Sequence, residues 1–246
     1  MCITNPIIDP EDSVAVAART AIHTGDTASL MQLLHDNPDL VKSYIGNRTE
    51  ARSLLHMLTD HPGNFPNGPE TAKLLIEAGA DVDAPFLGRA HSETPLHFAA
   101  SCDDVAVLDV LIDAGANINA GGGVIAETPL ADARAFLQFK AAKRLIERGA
   151  EVTLQDAATL GLLGRIKGLY ESATHQPSQE DTDFALWNAA HGGQLDVVKF
   201  VHDKGAGVNT VPPWENLTPL DAAKRTGAND VIEWLEQNEA NGFADL

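Results

Sequence analysis

Cysteine is almost missing. Cys2 and Cys102 are the only two in 246 residues, far apart and neither in a CxxC pair. That excludes a disulfide framework and a thiolate zinc motif, and it fits a reducing compartment, the cytoplasm. Aromatic residues are few, at 5%. Positive charge is scarce: 17 Lys and Arg stand against 35 Asp and Glu, a net charge of −18. A surface this acidic repels phosphate backbones and anionic bilayers, which argues against nucleic acid and membrane as partners. Its plain consequence is solubility, and the partner it would attract is a basic protein or peptide. No apolar run is long enough to span a bilayer. The opening MCITNPIIDPEDS lacks the basic end and long apolar core of a secretory signal. HExxH, GxSxG, GxGxxG and GxxxxGKS/T are all missing, so no metal and no cofactor is indicated.

What is present is a period. TPLHFAA at Thr94–Ala100, TPLADA at Thr128–Ala133 and TPLDAA at Thr218–Ala223 share one frame. From Leu96 to Leu130 is 34 residues, and from Leu186 to Leu220 is again 34. A second, glycine mark also recurs: GADVDA at Gly79, GANINA at Gly115, GAEVT at Gly149 and GAGVN at Gly205. Within one unit, Thr94 can cap a helix and Pro95 suits its first turn. Leu96, Ala99 and Ala100 give that helix a narrow apolar face. Val107, Leu108, Leu111 and Ile112 then recur at helical spacing, and Gly115 ends the second helix. One such hairpin cannot bury its own apolar face, so the units must stack.

These residues resemble the ankyrin repeat, with its T-P-L-H-x-A signature and period of about 33 residues. The order as a whole resembles short stand-alone microbial ankyrin proteins. The resemblance implies an all-α solenoid of about seven helix-turn-helix repeats with β-turn fingers. The repeats fall near 14–45, 49–84, 89–120, 126–152, 153–178, 182–210 and 216–240. A tail of 1–13 precedes them and one of 241–246 follows. The implied function is non-covalent recognition of a protein or peptide on the concave face, by a monomer. The alternative is an enzyme or small-ligand binder.

Three departures from the pattern matter. Few residues follow Gly149 before the next helix, and QPSQEDT replaces a glycine mark, so fingers are expected to be missing around repeats four to six. The third departure lies at residues 61–69. Ala100 to Val107, Arg134 to Ala141 and Ala190 to Val197 each span 7 residues, whereas Thr59 to Thr71 spans 12. Pro62 and Gly63 stop the first helix there, and Asn67, Gly68, Pro69 and Glu70 start the second. The insertion therefore reads as an ordered turn, with Phe65 folded onto the second helix. The finger that follows is also long and adds Phe86 and Leu87, which are expected at the surface.

In ankyrin proteins the groove is lined by the fingers and by the two positions after the A-A pair. Carried onto this chain, those positions are His23–Thr24, Asp60–His61, Ser101–Cys102, Ala135–Phe136, Thr159–Leu160, His191–Gly192 and Lys224–Arg225. The binding candidates are thus His23, Asp60, His61, Asn67, His91, Ser101, Cys102, Phe136, His191, Trp214, Lys224 and Arg225, with His91 and Trp214 on fingers. His56 and His97 hold the T-P-L-H histidine position, whose family role is to tie neighbouring loops. Trp187 holds it in its own unit. If the chain is an enzyme, Asp60 and His61 are the candidates, joined in one pocket by Asn67 and by Asp103 or Asp104 of the next unit. Against this, neighbouring residues on a helix do not face each other, and GGGVIAETP at Gly121–Pro129 lies where a finger belongs rather than where a phosphate loop would.

Overall fold

The computed structural model describes residues 5–88, 90–123, 128–172 and 176–246. Helices dominate them. α1 (Ser13–Thr24) packs on α2 (Thr27–Asp36), α3 (Leu54–Thr59) on α4 (Gly68–Glu77), α5 (Pro95–Ser101) on α6 (Val105–Asp113) and α7 (Pro129–Ala135) on α8 (Phe139–Glu147). α9 (Leu154–Thr159) packs on α10 (Leu163–Glu171), α11 (Gln179–His191) on α12 (Leu195–Asp203) and α13 (Pro219–Thr226) on α14 (Asn229–Gln237). The chain divides into two compact units, Met1–Glu151 and Val152–Leu246. In the first, α1, α3, α5 and α7 form one layer and α2, α4, α6 and α8 another. In the second, α9, α11 and α13 stack, with α12 against α14.

Local chemistry starts each first helix. Ala131 N donates to Thr128 Oγ1 at 3.2 Å. Thr218 and Asp221 cap each other, with Asp221 N 3.2 Å from Thr218 Oγ1 and Thr218 N 3.1 Å from Asp221 Oδ2. Each first helix except α3 is closed by one left-handed residue: Gly25, Asp103, Leu137, Gly161, Gly193 or Gly227. The next residue then donates to a carbonyl five positions back, always that of an alanine: Ala21, Ala99, Ala133, Ala157, Ala189 or Ala223. The alanines also let layers approach. Ala18, Ala99, Ala133, Ala157 and Ala189 are fully buried, and so are Leu96, Leu108 and Leu111. Ile112, expected in the same core, is only half-buried, because it sits on the flank of α6.

The fold is not helix alone. β1 (Ile7–Ile8) pairs parallel with β2 (Tyr44–Gly46), which pairs antiparallel with β3 (Ala51–Arg52). A further bridge joins Ala51 to Leu87. The N-terminal stretch expected as a tail therefore supplies a strand: Ile7 and Ile8 pair their backbone groups with β2, which a loose tail would leave to water. The long finger is also not exposed as expected. Phe86 is buried and Leu87 half-buried. The bridge to Ala51 turns both inward.

Two sets of ties hold the fingers. Asn117 N donates to Asp83 Oδ1 at 2.9 Å, Glu151 N to Asn119 Oδ1 at 2.9 Å and Asn241 N to Asn209 Oδ1 at 2.7 Å. Fully buried His56 donates through Nε2 to Glu93 O at 2.9 Å, while Trp187 Nε1 donates to Leu217 O at 2.9 Å. The tryptophan thus does the histidine's work in its unit. Burial pushes the His56 ring down to about 4, so it stays neutral. Only residues 148–153 separate α8 from α9, where 114–128 separate α6 from α7. Residues 124–127 of the glycine-rich GGGVIAETP stretch lie outside the described residues.

Candidate functional site

The insertion at residues 61–69 is pinned at both ends of its reach. Asn64 N donates to Asp104 Oδ2 at 3.0 Å, and Asn64 Nδ2 to Cys102 O at 3.0 Å. Asn67 Nδ2 donates to Gly25 O at 2.9 Å. The loop thus bridges the α1–α2 turn and the α5–α6 turn. A side chain at Gly25 would meet Pro66 O at 2.2 Å, so the glycine lets the loop lie against that turn. Phe65 stacks on His23, ring centroids 4.3 Å apart and planes 8° apart. The ring partner that the sequence did not announce is thus supplied by the preceding unit. Asn67 stands at the start of α4, but its side chain makes no cap bond; its Nδ2 reaches back to Gly25 instead.

The pocket expected from Asp60, His61 and Asn67 is not assembled. Asp60 is held by Arg52 and by the backbone N–H of His61, the latter at 2.9 Å. The His61 side chain is exposed and, among the described residues, has no hydrogen-bond partner. Asp103 accepts from Ala141 N at 2.7 Å, and Asp104 from Val107 N at 3.2 Å. Both therefore serve helix starts. Burial, with Asp60 and Asp104 adding to it, pushes the Cys102 thiol up to about 11, which keeps it protonated at neutral pH. Ser101 Oγ donates to His97 O at 2.9 Å. His23 is half-buried with Nε2 3.3 Å from Met57 O. None of these side chains forms an acid–base or nucleophilic pair. Among the described residues no group of three His, Cys, Asp or Glu can hold a metal ion.

The remaining candidates show two open aromatic faces. Phe136 is 53% exposed at the end of α7. In the second unit Trp214 is 48% exposed. It meets Phe184 edge-on at 4.8 Å and Trp187 at 5.9 Å. Arg225 lies 5.9 Å over the Trp187 ring and pairs with Glu215. His191 is buried beneath them, stacked on Trp187 at 5.5 Å and 3.4 Å from Arg225. Expected at the groove surface, it instead backs the surface, because Trp187 and Arg225 cover it. Lys224 is exposed and pairs with Glu236 at 3.2 Å. Trp214, Arg225 and His191 are thus brought into one cluster.

Sequence reading missed a polar cluster under the long finger. His91 Nδ1 lies 2.7 Å from Glu93 Oε2, and its ring stacks on Phe86 at 4.3 Å. They border a cleft of about 460 Å³ shared with Arg52 and Phe98. Behind Glu93 sits Asp132, wholly buried. Burial first, and the charge of Glu93 second, push the Asp132 carboxyl up to about 8, with Arg134 opposing. Burial and the neighbouring Glu93 carboxylate both disfavour a second charge there, so Asp132 holds its proton at neutral pH. A signal existed: the frame places Phe98 and Ala222 where Asp132 stands.

A family model for ankyrin repeats matches residues 64–156 in three copies. Over this stretch the chain is built of ankyrin repeats. It is similar to "Ankyrin repeat and KH domain-containing protein mask-1" of Caenorhabditis elegans, 29% identical over 174 residues, which is 69% of this chain and 6% of that protein. "Ankyrin repeat and KH domain-containing protein CBG24701" of Caenorhabditis briggsae is 28% identical over 176 residues, 68% of this chain and 6% of its own length. "Palmitoyltransferase ZDHHC13" of Homo sapiens is 34% identical over 99 residues, 39% of this chain and 16% of that protein. The chain therefore spans a small part of each relative. Ankyrin repeats generally mediate contact with other proteins. Among the described residues no helix is long and apolar enough to cross a membrane.

Proposed function

We infer that the protein recognises another protein or peptide non-covalently on the concave face of its repeats, as a cytoplasmic monomer that binds neither nucleic acid nor membrane. The observation that carries this reading is the exposure of Phe136 and Trp214, at positions that the ankyrin resemblance assigns to the groove and to a finger. Large exposed aromatic rings on a fixed backbone are the usual anchors of interfaces, since few rotamers are lost on docking. The seven helix pairs are read as seven repeats over 14–240, and the short 148–153 link as one of the gaps in the row of fingers. A net charge of −18 favours, at long range, partners that are basic overall.

The test is capture of binding partners from the native host by the wild-type chain and by Phe136→Ala and Trp214→Ala. Both side chains are exposed, so thermal unfolding should be nearly unchanged while capture is lost. Normal capture by both variants would show that the concave face is not the interface.

A further inference from the structure

The turn between α7 and α8 breaks the rule that its counterparts obey. Five of the six closing residues are Gly or Asp, types that tolerate the left-handed region; the sixth is Leu137, at φ 56°. It is flanked by two exposed rings, Phe136 at 53% and Phe139 at 44%. The turn is rigidly set. Gln138 Nε2 donates to Ser101 O at 3.0 Å, and Asp103 takes Ala141 N at 2.7 Å. Next to the rings stand two exposed lysines, in a chain that is acidic as a whole. The Lys140 and Lys143 side chains are 85% and 79% exposed and make only long ion pairs, with Asp103 at 3.8 Å and Glu147 at 3.9 Å, which an incoming carboxylate can replace. α8 carries no acidic residue in its first turn, so its N-terminal dipole adds to the same sign.

We propose that Phe136, Leu137 and Phe139, flanked by Lys140 and Lys143, dock an apolar segment of a partner that is bordered by acidic side chains. This rests on the reading of the chain as a protein-recognition module and names the chemistry of one part of its surface. The apolar rings supply the anchor and the lysines supply the sign. The segment that docks is acidic whatever net charge the rest of its protein carries. Backbone strain held between two exposed rings fits a turn kept for contact rather than for folding.

The test is binding of a labelled peptide with phenylalanine and leucine anchors set between glutamates, against the same peptide with lysine for each glutamate. The acidic peptide should bind about tenfold tighter or better, and weaken as salt rises. Phe136→Ala with Phe139→Ala should abolish binding. Lys140→Glu with Lys143→Glu keeps the rings and should reverse the preference. Met31→Ala removes an equally exposed apolar side chain elsewhere and should change nothing. Equal binding of both peptides, tighter binding of the lysine peptide, no binding of either, or indifference to the phenylalanine pair would each overturn the proposal. So would a dimer in sedimentation that is lost with the phenylalanine pair, because the occupant would then be a second copy. If these peptides fail while Phe136→Ala still loses the captured host partner, recognition stands and the acidic chemistry falls.

Discussion

Leu137 and Asp132 each hold a position that chemistry would normally give to another residue. A left-handed leucine costs about 1–2 kcal/mol relative to glycine. Leu137→Gly should therefore raise stability by about 1 kcal/mol in urea or thermal unfolding. A fall would show that the half-buried side chain outweighs the strain. Asp132 has its carboxyl raised from 3.8 to about 8, so the folded state holds a proton that the unfolded state has lost. Stability is then greatest at low pH and declines as pH rises through that window. The groups around it are Glu93 and Arg134, with His91 on the far side of Glu93. Asp132→Asn keeps the shape and the donor without the charge. Stability against unfolding should fall steeply from pH 6 to pH 9 for the natural chain and much less for the variant. Parallel decline in both would place the titrating group elsewhere.

At the scale of the element, stability comes from helix faces that are narrow and fully covered. Leu111 on α6 is completely buried. Leu111→Ala should cost about 2–5 kcal/mol, read from the urea midpoint; a loss within error would contradict the packing of α6 in its layer. The helices were legible in the sequence because capping threonines, first-turn prolines and closing glycines are local signals. β1 was not, since two isoleucines make a strand only when β2 stands beside them. Phe86 was misplaced for the same reason: its burial depends on a bridge to Ala51 that no local pattern announces. The insertion was legible as an ordered turn, yet its contacts were not. Asn64 rather than Asn67 reaches Asp104, and Phe65 finds His23, because the neighbouring turns decide which side chain meets which. Of the site candidates, Phe136 and Trp214 kept their exposure. His61 stayed apart from its intended partners, because its carboxylate neighbour was already held by Arg52.

At the scale of the whole molecule, five ties join neighbouring segments, some in each compact unit. Asp83 holds Asn117, Asn119 holds Glu151 and Asn209 holds Asn241, while His56 and Trp187 reach across to the carbonyls of Glu93 and Leu217. Each tie joins a segment to its next neighbour and to nothing farther. Mechanically, each unit is a chain of short links in series. A load applied along it is borne by every rung in turn, and the weakest rung gives first. Its release leaves the neighbouring rungs intact, so extension proceeds in steps of one helix pair, and relaxed pairs can re-zip against a standing template. Such a body yields under tension without losing its whole fold.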